Sequence, residues 1–259
     1  MRLVILPGLD GSGLLYRKFC AALPSHWQVH CFSYPTDLLS YSQLADVLEP
    51  QLPASPFLLL GESFGGPLAV ELARRRAGQV LGLVLCCTFI ENPMPWAPML
   101  WQWLRRLEFS AARRNILLRY LLWGHDSPGL RSELEQALSQ LPQASFVHRV
   151  EQVLALQRPE SALALAMPVL YLQAQQDKLV FPHCAVSLQA LLPQLQLCRF
   201  HCSHFLLQQH PEDAAQLLLH WCVNHEIRDA APPGPSAKTA SYPGSVFDKA
   251  SSVQVSPAG

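Results

Sequence analysis

The sequence predicts an α/β protein with a minimal, mostly parallel sheet of about six strands, helices on both faces and a helical cap. Two observations carry this reading. Short apolar runs alternate with longer helical patterns along most of the chain. In addition, 259 residues at 50% hydrophobic content suffice for one sizeable core. Charged residues make up only 15%, against roughly 25% in an ordinary globular domain, which excludes a disordered polyelectrolyte.

Leu3–Leu6 reads as the first strand and runs into a glycine-rich turn over residues 7–13. A helix follows over Leu15–Leu23, then a strand over Val29–Tyr34 ended by Pro35. Ser42–Leu48 places Leu44, Val47 and Leu48 on one helical face. Phe57–Leu60 is a buried strand, Phe64–Arg76 a helix and Val80–Cys86 another apolar strand. From about 91 to 160 no strand pattern is evident, and this stretch holds Trp96, Trp101, Trp103 and Trp123. Alternation resumes with strand Val169–Gln173, helix Cys184–Leu192, strand Gln196–Phe200 and helix Pro211–His225. One domain over 1–225 is therefore expected, with the cap inserted at about 91–160. The remainder, 226–259, is rich in Pro, Gly, Ser and Ala and reads as a disordered tail.

A formal net charge of +0 and a pI near 7.1 give no bulk attraction to nucleic acid, so none is expected as a partner. The longest near-continuous apolar run, Val80–Ile90, falls short of the roughly 20 residues a bilayer needs. Leu3–Leu6 is too short for a secretory signal. The eight cysteines sit in apolar runs without a C-x-x-C pair, which points to buried reduced thiols, no metal and a cytoplasmic location.

Gly61-Glu62-Ser63-Phe64-Gly65 matches G-x-S-x-G, and it joins a strand to a helix. Such an elbow holds its serine in a strained conformation, exposed at the sheet edge. A serine hydroxyl needs a base to take its proton and an acid to orient that base. Asp177 lies beyond one strand and His204 beyond the next, 27 residues on, so both fall on the edge that carries Ser63. His201, at the same strand end, is the nearest competitor to His204. Asp126 reads as a cap or loop residue, Asp213 as a helix-start acid, and His183, His210 and His220 as surface or packing residues. The backbone N–H groups of Phe64 and Leu9 are the candidate oxyanion donors. Asp10 is either a turn residue or an organiser of that loop. A phosphate-binding reading of Gly8–Gly13 lacks the following Lys-Ser/Thr.

Together these residues resemble the α/β-hydrolase superfamily over roughly 1–225, and within it small esterases of the pimeloyl-acyl-carrier methyl ester type. The resemblance implies a serine hydrolase acting on a small-molecule acyl ester or thioester, carrier-bound or free, with no cofactor. Pro7 departs from the histidine usual before the oxyanion-loop glycine. The chain also starts at what would be the third strand, without the antiparallel edge pair. An acyltransferase using the same acyl-enzyme, and a non-catalytic binder of an apolar ligand, are the alternatives. Trp96, Trp101 and Trp103 either pack the cap or line an acyl pocket. Arg105, Arg106, Arg113, Arg114 and Arg119 form either a solvated face or a surface for an acidic carrier arm.

Overall fold

The computed structural model describes residues 1–126 and 128–228. Six strands form one sheet: β1 (Arg2–Leu6), β2 (Gln28–Cys31), β3 (Phe57–Glu62), β4 (Val80–Cys86), β5 (Val169–Ala174) and β6 (Leu195–Phe200). Their order is β2-β1-β3-β4-β5-β6, and every pairing is parallel. Parallel neighbours require crossovers, which the helices supply. The order reverses between β1 and β3, so the loops after these two strands diverge and leave a crevice at their C-terminal ends.

The inner strands β1, β3, β4 and β5 are apolar along most of their length because both faces are covered, whereas the edge strands β2 and β6 carry polar residues such as His30 and Arg199. On β1 and β3, Val4, Leu6, Phe57 and Leu59 face one layer, with α2 (Tyr41–Leu48), α3 (Gly65–Arg75) and α8 (Pro182–Leu191). Leu3, Ile5, Leu58 and Leu60 face the other, with α1 (Arg17–Ala22), α9 (Leu206–Gln209) and α10 (Pro211–Asn224). Ser40 opens α2 with a capping box, bonding reciprocally with Gln43.

Two expectations need correction. The second strand stops at Cys31 instead of Tyr34: its register with β1 ends at the Ile5–Cys31 pair, and after the Phe32 N–H donates to Ile5 O the chain turns to the first-strand loop. Phe32 and Tyr34 stay buried, but they pack under the first-strand loop: the Tyr34 N–H donates to Gly11 O, and its hydroxyl donates to Pro7 O. The packed chain also runs past 225, since Ile227 is buried in the core. The rest of the expected tail, from 229, lies outside the described residues.

The segment between β4 and β5 folds as α4 (Ala97–Leu104), α5 (Ala111–Leu121), α6 (Pro128–Ser139) and α7 (Gln143–Leu154). Leu118, Leu122, Leu130, Leu134 and Ala137 form a small core of its own, which Leu15 joins from the main domain. Among the described residues no helix is long and apolar enough to cross a membrane.

Candidate active site

Ser63 sits between β3 and α3 with φ at 50°, one of three non-glycine residues with positive φ among those described. Holding a serine there costs about 1–3 kcal/mol, so its surroundings must impose it. Glycines let them do so. A Cβ on Gly65 would lie 2.4 Å from Leu6 O, and one on Gly61 2.6 Å from the Cβ of Ala69. A Cβ on Gly66 would collide with Thr88, whose hydroxyl donates to Ser63 O. The Ser63 N–H donates to Cys86 O at 2.9 Å, and its carbonyl accepts from the Gly66 N–H at 3.0 Å.

The loops after β5 and β6 bring their polar residues to this serine. His204 Nε2 lies 3.0 Å from Ser63 Oγ, and His204 Nδ1 lies 2.7 Å from Asp177 Oδ2. The other oxygen of Asp177 accepts the N–H groups of Leu179 and Val180, each at 2.8 Å. That fixes the carboxylate before it meets the imidazole. Burial alone would lower the His204 pKa, but the Asp177 carboxylate outweighs it and holds the imidazole above its ordinary value.

None of the competing residues joins this arrangement. His201 is exposed and meets Gln176 at 3.2 Å. Asp126 pairs with Arg131, and Asp213 with His210. His183 lies at the start of α8 and His220 is exposed on α10. Among the described residues no group of three His, Cys, Asp or Glu could hold a metal ion.

The first-strand loop runs beside the elbow: a Cβ on Gly8 would lie 3.7 Å from the Cβ of Ser63. Among the described residues, no hydrogen bond occupies the N–H of Leu9 or of Phe64. Asp10 turns the loop by accepting from the N–H and hydroxyl of Ser12. Arg149, buried on α7, holds the loop from the cap. Its guanidinium donates to the carbonyls of Leu9 (2.8 Å), Asp10 (2.9 Å) and Pro35 (3.0 Å). Gly11 makes room for it, since a Cβ there would lie 2.4 Å from Arg149 Nη1. Sequence reasoning missed Arg149, Thr88 and Tyr16. A buried arginine in an amphipathic helix carries no distinctive pattern, and Thr88 is identified only by the space Gly66 leaves.

Between this edge and the cap lies a cavity of about 440 Å³. Ser63, Phe64 and His204 lie at its floor, and Trp101, Leu121 and Phe146 are among its apolar walls. Trp96 and Trp101 line it. Trp103 does not: it is 74% exposed and faces away, which corrects the expectation that all three tryptophans share the pocket. Trp101 and Trp103 are two residues apart and so point to roughly opposite sides of α4, which lets only one of them face inward, whereas Trp96 lies at the helix N-cap. Of the cap arginines, Arg105 pairs with Glu151 and Arg114 with Glu135.

Residues 3–217 match the model of the "Alpha/beta hydrolase family". The chain belongs to the alpha/beta hydrolase family. Within that family it is similar in fold to an enol-lactonase from Burkholderia xenovorans, with TM-score 0.73 and 19% identity, covering 86% of this chain and 91% of that one. It is also similar to a thermophilic esterase from Thermogutta terrifontis, with TM-score 0.70 and 19% identity, covering 87% and 90%. A curated relative, phytyl ester synthase 1 of Arabidopsis thaliana, is 34% identical over 110 residues. That match takes in 38% of this chain and 16% of the relative's length. These neighbours share the alpha/beta hydrolase architecture, and the six-stranded parallel sheet of this chain is that architecture.

Proposed function

We propose that this alpha/beta hydrolase cleaves carboxylic esters or thioesters of apolar acids through an acyl-enzyme on Ser63. The single observation that carries the reading is the 3.0 Å approach of His204 Nε2 to Ser63 Oγ at a positive-φ elbow. His204 takes the serine proton as Oγ bonds to the acyl carbon, and it returns that proton to the departing alcohol or thiol. Asp177 holds the imidazole in the tautomer that leaves Nε2 free to accept, and it stabilises the imidazolium that forms. In this reading the N–H groups of Leu9 and Phe64, which no backbone hydrogen bond occupies among the described residues, receive the oxygen that becomes negative. Water, activated by the same histidine, then releases the acid.

The cavity walls argue for an apolar acyl chain. A cavity of about 440 Å³ lined mostly by apolar side chains has room for an alkyl chain longer than acetyl. A second reading, transfer of the acyl group to an alcohol, rests on the similarity to a phytyl ester synthase and uses the same intermediate. A p-nitrophenyl ester series from acetate to palmitate tests the proposal. Turnover is expected to climb beyond acetate and to vanish in Ser63→Ala, and added alcohol separates hydrolysis from transfer. Turnover that survives in Ser63→Ala overturns the assignment.

A further inference from the structure

Directly behind Ser63 lies a carboxyl group that the triad does not use. Glu62 ends β3 and is only 5% exposed. Its Oε2 accepts the hydroxyl hydrogen of Tyr16 and lies 3.4 Å from the side-chain amide of Gln208, while Oε1 is buried without a partner among the described residues. Tyr16 is itself fully buried, and its hydroxyl oxygen accepts the Gly8 N–H at 3.1 Å. One tyrosine therefore ties the residue before Ser63 to the residue before Leu9.

Burying a carboxyl group with no cation in contact is costly, and a neutral side chain would pack more cheaply. What a carboxylate adds is a charge-assisted acceptor, roughly twice as strong as a neutral one. It draws the Tyr16 hydroxyl hydrogen toward β3 and so turns an oxygen lone pair toward Gly8. We infer that Glu62, acting through Tyr16, is a positioning residue that fixes the Gly8–Leu9 backbone against the elbow, so that the Leu9 and Phe64 N–H groups can share one oxygen. The inference rests on the proposed acyl-enzyme reading and adds a second acid to its machinery.

Proton binding at Glu62 then weakens this tie. The groups that face it are Tyr16 and Tyr34, Asp10 of the first-strand loop, Cys86 of β4, His204 and the uncharged Gln208. Burial pushes its pKa up to about 7, although the Tyr16 hydrogen bond and the nearby His204 oppose the rise. The acid limb of the rate therefore contains two protonations, one on His204 and one on Glu62. The Glu62 charge also raises the His204 pKa, so removing it moves the histidine step to lower pH.

The test is the rate at which an alkyl fluorophosphonate labels Ser63, followed from pH 5 to 10 in the full chain. We expect the wild-type acid limb to carry, besides the His204 step, a second step of about three- to tenfold. Tyr16→Phe should label about 10–30-fold more slowly, somewhat less than loss of a whole oxyanion donor. Glu62→Gln keeps the shape and an acceptor oxygen. It should label about three- to tenfold more slowly at pH 9, with the His204 step alone, displaced to lower pH. Variants that match the wild type in both rate and limb overturn the inference while leaving the acyl-enzyme reading intact. A wild type that is never labelled overturns both. Should either variant fail to fold, the wild-type profile decides alone: a limb with the His204 step alone contradicts the role given to Glu62.

Discussion

Around Ser63 the backbone is fixed by atoms that leave no room for a side chain, whereas on α4 of the same chain the indole of Trp103 is 74% exposed. The edge that carries Ser63 is built from strand ends in a sheet buried on both faces, and Ser63, Asp177 and His204 each have at least one partner that holds them. The cap has a small apolar core, ion pairs at its surface and several large apolar residues left in solvent, including Trp96, Met99, Ile116 and Trp123. Chemistry that depends on tenths of an ångström is placed where packing is dense. Under the proposed function, choice of substrate falls to helices that can vary without disturbing that chemistry.

If this division is sound, variants at the edge lose rate without changing the chain-length profile. The largest effect is expected for His204→Ala, a fall of about 10³-fold or more in kcat, since triad members act as a unit. His201→Ala should stay within about twofold of the wild type. In the wild type, activity should keep rising with pH above the ordinary histidine range, because only neutral imidazole accepts the serine proton and Asp177 holds the His204 pKa high. The same shift means that the stabilisation from the charged His204–Asp177 pair is present at low pH and is lost as pH rises through the raised pKa. A rate that peaks well below neutral pH would break the assignment.

Arg149 sharpens the comparison, because it is a cap residue that serves the edge. Arg149→Ala strands three carbonyl groups, a loss of about 2–3 kcal/mol that lowers Tm by roughly 5 °C or more. We expect kcat to fall about tenfold while the preferred chain length stays the same, which thermal unfolding and the ester series together would show. A shift in chain length instead would move Arg149 from positioning to selectivity. Smaller effects belong to the tryptophans. Trp101→Ala enlarges the cavity and should move the preferred ester by two or more carbons, within a few-fold in kcat/KM. Trp103→Ala should leave the profile unchanged.

The same division governs what could be read from the sequence. The alternating runs gave away all six strands, and the elbow, Asp177 and His204 stood at strand ends in an order that few other residues could satisfy. The identity of the inner strands β1, β3, β4 and β5 is written in nearly continuous apolar runs, because both faces of the sheet are covered there. The end of β2 was not written there, since Phe32 and Tyr34 remain apolar to pack a loop after the register with β1 has ended. Glu62 stood in the elbow motif, beyond the strand read as Phe57–Leu60, and its link to Gly8 depends on a tyrosine 46 residues away. Within the cap, an aromatic cluster signals burial somewhere without saying which side of α4 faces inward. Trp101 and Trp103 separate only once the helix is docked.

The central claim is that Ser63 is the nucleophile, and one measurement addresses it most directly. The chain is treated with a fluorophosphonate, digested, and the mass of each peptide recorded. The account predicts one adduct, on the peptide that contains Ser63, absent from Ser63→Ala and formed far more slowly in His204→Ala. No adduct, or an adduct on another residue that persists in Ser63→Ala, would contradict it.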